Sequence, residues 1–334
     1  MNKPEPRWKR KSLQLFRFIK RTYFAWDSND PFAKSAIIAY YTLFSLPSLL
    51  MIVTAVAGYF WGREAVTGRI SEQIGSYIGP DSAEAIEGMI SNAALTDGNW
   101  VTITIGIGAL VYGATGVFFQ MKKAMNDIWN VREKKQTWKQ MVKNRALSFG
   151  MVLILAFMLL VSLVLSAALA ALSTYVESFA PVIATIFANI LKFVISFAFI
   201  AALFAAIFKI LPDVIMSYKT TFLGASITAV LFLIGEYALG YYFTASNPAS
   251  VYGGAASIVL ILLWVNYTCL ILFFGAEITV QYALASKHKI VPNKNAEMAY
   301  VQDMKDLEER KKKAEDNKQK KTVAKLNNSL ASII

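Results

Sequence analysis

SAIIAYYTLFSLPSLLMIVTAVAGYFWG, residues 35–62, runs for 28 residues without a charged side chain, bounded by Lys34 and Arg63. A hydrocarbon core of about 30 Å is crossed by roughly 20 helical residues at about 1.5 Å each. The stretch is long enough, and a second charge-free run of 31 residues lies between Arg145 and Glu177. Of the 334 residues, 56% are hydrophobic and 17% charged, and the charges gather in short blocks between apolar runs. A single soluble domain of this size has no core large enough to hide so many all-apolar helices, so lipid must cover the remainder.

Outward from that stretch, the apolar runs give about six transmembrane helices, at 36–60, 101–121, 147–172, 182–208, 220–243 and 255–284. TITIGIGALVYG in the second reads as helix, because a lone strand in lipid leaves its backbone groups unpaired. The expected fold is all-α, a polytopic membrane bundle in three parts. Residues 1–35 form a basic amphipathic N-terminal segment, 36–290 a six-helix domain with an outer loop at 61–100, and 291–334 a basic tail.

Lys and Arg crowd the segment before the first span and the loop from Lys122 to Arg145, and recur at Lys209, Lys219, Lys287 and Lys289. The alternate loops hold Arg63 and Arg69 against several acids, then Glu177 alone, then no charge. Positive residues stay on the cytoplasmic side, which predicts that both termini face inward. The same placement accounts for the net charge of +12 without nucleic acid as a partner. The first apolar run follows a basic stretch too long for a signal-peptide n-region, so a cleavable signal is not expected. Cys269 alone forbids a disulfide within the chain.

Residues 8–26 set Leu15, Phe18, Ile19 and Trp26 among basic residues, the pattern of a helix lying at the interface against anionic headgroups. The alternative is a helix packed on the protein itself. Asp30 followed by Pro31 reads as a helix start, a cap residue and then proline at the first helical position. In the outer loop, Ile70, Ile74 and Ile78, then Ala83, Ile86 and Ile90, recur at helical spacing around Gly79 and Pro80. They suggest two short amphipathic helices, a lid or a surface connector. The tail, EERKKKAEDNKQKKTVAK near its end, reads as a solvated helix or disordered segment.

Charge inside hydrocarbon is costly and seldom kept without a partner or a function. Lys192 lies 17 residues before Lys209 and Glu236 lies 17 after Lys219, so both sit about 25 Å from the inner boundary on consecutive antiparallel helices. A Lys192–Glu236 pair would be a structural clamp or a gate; a Lys192 that snorkels outward would leave Glu236 alone. Asn266 and Glu277 are 11 residues apart and so within about 20° on one helix face. Glu277 is the leading functional carboxylate, against the alternative of a hydrogen bond to a neighbouring helix. Tyr40, Tyr41, Ser45 and Pro47 in the first span mark a kink or cavity wall, and Gly253 and Gly254 an irregular entry to the last. No catalytic, cofactor or metal site is expected: His288 is the single histidine, and Asp81, Glu84 and Glu87 form an outer polar face.

AYYTLFSLPSLL (Ala39 to Leu50), NDIWNV (Asn126 to Val131), VYGGAAS (Val251 to Ser257), LLWVNY (Leu262 to Tyr267) and FGAEI (Phe274 to Ile278) together resemble the YihY/BrkB family of bacterial inner-membrane proteins, from about residue 15 to 290. The resemblance implies a six-helix membrane fold and an association with virulence and serum resistance. It also carries an older label as a tRNA-processing ribonuclease BN, regarded as mistaken, and for some members the movement of a lipid or amphiphile. It supplies no site residues. The expected function is transport or export of a lipid or other amphiphile across the inner membrane, not enzymatic, with membrane lipids as partners. The alternatives are an envelope scaffold and, far behind, a membrane-bound ribonuclease. Substrate, direction, energy source and oligomeric state are not legible in these residues.

Overall fold

The computed structural model describes residues 7–78, 100–134, 181–246, 256–286 and 290–305, with positions 84, 87, 88, 307, 308, 310 and 311. The expected span at 147–172, the second outer-loop helix, Gly253, Gly254, His288 and the tail beyond 311 lie outside the described residues. Seven helices are labelled here: α1 (Arg7–Asp27), α2 (Pro31–Trp61), α3 (Arg63–Ile78), α4 (Trp100–Ile128), α5 (Pro181–Ile210), α6 (Tyr218–Ser246) and α7 (Ala256–Ala285). Short strands β1 (Val131–Glu133), β2 (Val214–Ile215), β3 (Val291–Pro292) and β4 (Ala296–Met298) lie in the connections.

The molecule is a helical bundle, largely membrane-embedded. Among the described residues, Phe193–Ile210 in α5, Tyr218–Phe243 in α6 and Ile258–Ala285 in α7 are long and apolar enough to cross a membrane. They number three where the sequence predicts six spans. Helices α2, with 31 residues, and α4, with 29, are of comparable length.

Helix α2 starts at Pro31, five residues before the apolar run alone suggests. Proline fits there because its missing N–H would have no intrahelical partner. Asp30 occupies the preceding position but does not cap through its side chain; it adopts a left-handed backbone, φ 50°, that turns the chain out of α1. The helix then runs unbroken through position 47, whose side chain is outside the described set.

Helix α7 is the centre, packed on α1, α2, α3, α4 and α6. Its half from Leu272 to Ala283 is buried nearly all round, so its apolar residues need no single stripe. The α6–α7 crossing is reciprocal. A Cβ built on Gly224 would lie 1.9 Å from Thr279 Oγ1, and one on Gly275 would lie 1.9 Å from Thr228 Oγ1. Each threonine turns its hydroxyl back to donate within its own helix, Thr228 to the Gly224 carbonyl and Thr279 to that of Gly275. Two G-x-x-x-T stretches thus interlock at a backbone approach that larger residues would block. Helix α3 buries Val66 and Ile70 and touches α2, α6 and α7.

Four connections converge. Strand β1 pairs antiparallel with β4, Val131 opposite Met298, and β2 with β3, Val214 opposite Pro292. The α1–α2 turn joins them through Lys34, whose ammonium is 2.7 Å from Asp127 Oδ2 at the end of α4. These segments form a polar collar on the bundle.

Candidate functional site

Glu277 is 2% exposed, set in the most enclosed part of the central helix. Its Oε1 accepts a 2.7 Å hydrogen bond from Gln281, one turn on, while Oε2 is buried with no partner among the described residues. An unmade buried bond costs about 1–3 kcal/mol, more for a charged group. The helix face that carries Glu277 also carries Phe274, three residues back, and meets α1. Trp26 of α1 packs edge-on against Phe274 at 5.8 Å, and its Nε1, a donor, is likewise buried and unpartnered among the described residues. Arg21 of α1 lies within electrostatic reach of Glu277. The α1–α7 seam therefore holds an acceptor and a donor that are unpartnered among the described residues, with a nearby cation, beneath an amphipathic helix.

That helix packs on α7 and also exposes apolar side chains. Thr22 is buried and Trp26 half-buried on α7, while Leu13, Leu15, Phe16, Ile19, Tyr23 and Phe24 are exposed. It rests on the protein and still presents an apolar surface outward. Trp26 is clamped by Phe32 at 5.5 Å and by Phe274, which fixes the α1–α2 corner.

Among the described residues, Asn266 and Glu236 make no hydrogen bond to Glu277. Asn266 donates to Ser35 Oγ at 3.0 Å and ties α7 to α2. Glu236 on α6 is half-buried, with Oε2 unpartnered among the described residues. The Lys192 side chain is outside the described set, and with it the Lys192–Glu236 pair. Tyr41 and Ser45 sit at the α2–α4 crossing, facing Gly116 and Gly113, whereas Tyr40 is exposed beside Phe44 at 4.9 Å. Glu84 and Glu87 are exposed.

Sequence reasoning missed the collar's buried network. Asp213, 6% exposed, accepts from Asn126 Nδ2 at 2.9 Å and Asn293 Nδ2 at 2.8 Å, and lies 2.9 Å from Lys122 Nζ. Its backbone N–H donates to Asn126 Oδ1, and its carbonyl accepts from the Asn293 N–H. Lys122 also reaches Glu133 at 2.6 Å. Burial works to raise Asp213, but the bonds from Asn126 and Lys122, the Lys122 charge and the bond from Asn293 together hold it below its ordinary 3.8. Burial likewise works to lower Lys122, and the hydrogen bonds to Glu133 and Asp213 outweigh it, holding it above 10.5. The available signal was NDIWNV, whose Asn126 and Asp127 both act here, together with an aspartate after Pro212 in a short loop.

Two cavities bear on these residues. A polar one of about 210 Å³ lies in the collar beside Lys34, Asp127 and Arg132, and an apolar groove of about 570 Å³ lies between α5 and α6. Neither is lined by Glu277, Asn266 or Glu236.

The comparisons agree with this architecture. The family described as Virulence factor BrkB matches residues 23–299. A UPF0761 membrane protein of Tolumonas auensis is 31% identical over 72 residues, 21% of this chain and 24% of its own length. One of Halorhodospira halophila is 30% identical over 128 residues, 37% of this chain and 28% of its own. The chain thus aligns with about a quarter of each of these two relatives. A Bacillus subtilis protein named ribonuclease-like protein YfkH is 23% identical over 280 residues, 83% of this chain and 98% of its own. No solved structure matches. With a match that covers most of its length and long apolar helices through its core, the chain belongs to the Virulence factor BrkB family and is a multi-pass protein of the bacterial inner membrane.

Proposed function

We propose that the protein moves a lipid or other amphiphile across the inner membrane without covalent chemistry, and that the α1–α7 seam at Glu277 is where the polar end of that molecule binds. The observation that carries this reading is the buried Glu277 Oε2 in the central helix, unpartnered among the described residues. A carboxyl oxygen kept there at a cost is explained if it accepts a hydrogen bond from a headgroup donor, or a proton that accompanies the headgroup. The unpartnered Trp26 Nε1 adds a donor on the facing helix, and the exposed apolar face of α1 lets lipid reach the seam from the side. In this reading six spans cross the membrane, the third within 147–172, and both termini and the collar are cytoplasmic.

A second reading, a non-transporting envelope scaffold, draws on the α6–α7 interlock and on cavities that stop short of Glu277. The two part in proteoliposomes. If the transport reading holds, reconstituted wild-type protein speeds the exchange of labelled phospholipid or lyso-phospholipid between leaflets, and Glu277→Gln slows it at least tenfold while keeping the wild-type melting profile. Equal rates with and without protein for every amphiphile tried would favour the scaffold.

A further inference from the structure

The apolar groove between α5 and α6 is separate from the Glu277 seam and needs its own explanation. Ala205, Ala206 and Phe222, the last exposed to 64%, line it. Ile210 at 52% and Tyr218 at 79% continue the apolar surface outward, so the groove opens sideways to where lipid lies. Two lysines also line it. Lys209, at the last turn of α5, donates to the Met216 carbonyl and lies 4.2 Å over the Tyr218 ring, which leaves it further donors. Lys219 is exposed in the first turn of α6.

A lysine in that first turn opposes the helix dipole, and the turn's N–H groups lack intrahelical partners. A bound anion removes both problems, since lysine, dipole and free N–H groups then act on it together. The nearest acid of the α5–α6 connection, Asp213, is already saturated by Asn126, Asn293 and Lys122, so it supplies no counter-charge at the groove. An apolar trough lined also by two lysines at a membrane boundary has the chemistry of one occupant. A packed protein helix would instead have to desolvate both lysines.

We propose that this groove is a specific site for an anionic glycerophospholipid, with one acyl chain along Ala205, Ala206 and Phe222 and the phosphate between Lys209 and Lys219. The site is independent of the transport reading. It binds a resident lipid that braces the α5–α6 hairpin.

The test is native mass spectrometry of the delipidated full-length protein, titrated separately with phosphatidylglycerol and with phosphatidylcholine. Wild type is expected to prefer phosphatidylglycerol by at least tenfold. Lys219→Gln, which breaks no bond among the described residues, should weaken phosphatidylglycerol about fivefold, the worth of one lysine near an anionic headgroup, and leave phosphatidylcholine unchanged. Ala206→Phe, which fills the trough and keeps the charges, should weaken phosphatidylglycerol as well. Equal binding of the two lipids by wild type, or an unchanged phosphatidylglycerol affinity in Lys219→Gln, would overturn the proposal. So would an unaffected affinity in a folded Ala206→Phe protein.

Discussion

Asp213 shows how much one buried carboxylate can hold together. Each of its side-chain oxygens and both of its backbone groups is engaged, by partners from α4 and from the segment after α7. Removing one member of a buried, hydrogen-bonded pair leaves the other charge uncompensated, at about 3–5 kcal/mol. Asp213→Ala is therefore expected to lose about 3 kcal/mol in equilibrium unfolding from detergent, and a loss under about 1 kcal/mol would show the network to be incidental. The pH dependence has a definite sign. Because Asp213 is held below 3.8, its contribution is present above that value and disappears as pH falls through the depressed one. Lys122 is held above 10.5, so its contribution is present below that value and disappears as pH rises through the elevated one. Stability should be flat through neutrality and fall at both extremes, and Asp213→Asn should remove the acid limb. Asn266 is a weaker case. One hydrogen bond between membrane helices averages about 0.6 kcal/mol, so a double-mutant cycle of Asn266→Ala with Ser35→Ala should return a coupling of that size. At this scale the sequence singled out Glu277 as the carboxylate of FGAEI, but no spacing rule joins Asn126 to Asp213, 87 residues away.

Among the elements, the α6–α7 crossing is the most constrained. Gly275→Ala places a methyl 1.9 Å from Thr228 Oγ1, so either the threonine rotates and loses its bond to Gly224 or the helices move apart. Overpacking of this kind costs about 1–3 kcal/mol. Gly240→Ala on the same α6 meets nothing within 4 Å and serves as the control. Thermal unfolding of both in one detergent should place Gly275→Ala clearly lower, and equal melting points would refute the interlock. The helices themselves were legible, since α5, α6 and α7 fall where long apolar runs lie between charges. Their mutual contacts were not, because helices buried or lipid-covered all round leave no polar face to orient them. G-x-x-x-T occurs in each sequence, but only the structure sets one against the other. Helix α1 was legible as an amphipathic helix; the structure docks it on α7 at Trp26 and leaves Phe16 exposed.

For the whole molecule, the collar turns topology into something measurable. If both termini lie inside, as proposed, strands β1 and β4, in which Arg132 lies opposite Glu297, face the cytoplasm. A single cysteine at either position should react with a membrane-impermeant maleimide in inside-out vesicles and stay silent in right-side-out ones. The native Cys269 is buried and should not contribute. The reverse pattern would invert the orientation. Membrane class and family were readable from charge segregation and from a few short motifs, because lipid imposes its demands on each span separately. The collar was not readable, because it is made from four connections that meet only after the helices pack. The central claim concerns the Glu277 seam, and the most direct measurement is lipid-resolved mass spectrometry of the protein purified from membranes as wild type, Glu277→Gln and Lys219→Gln. The account predicts a defined amphiphile that wild type and Lys219→Gln carry and Glu277→Gln lacks; the same bulk lipid on all three proteins would contradict it.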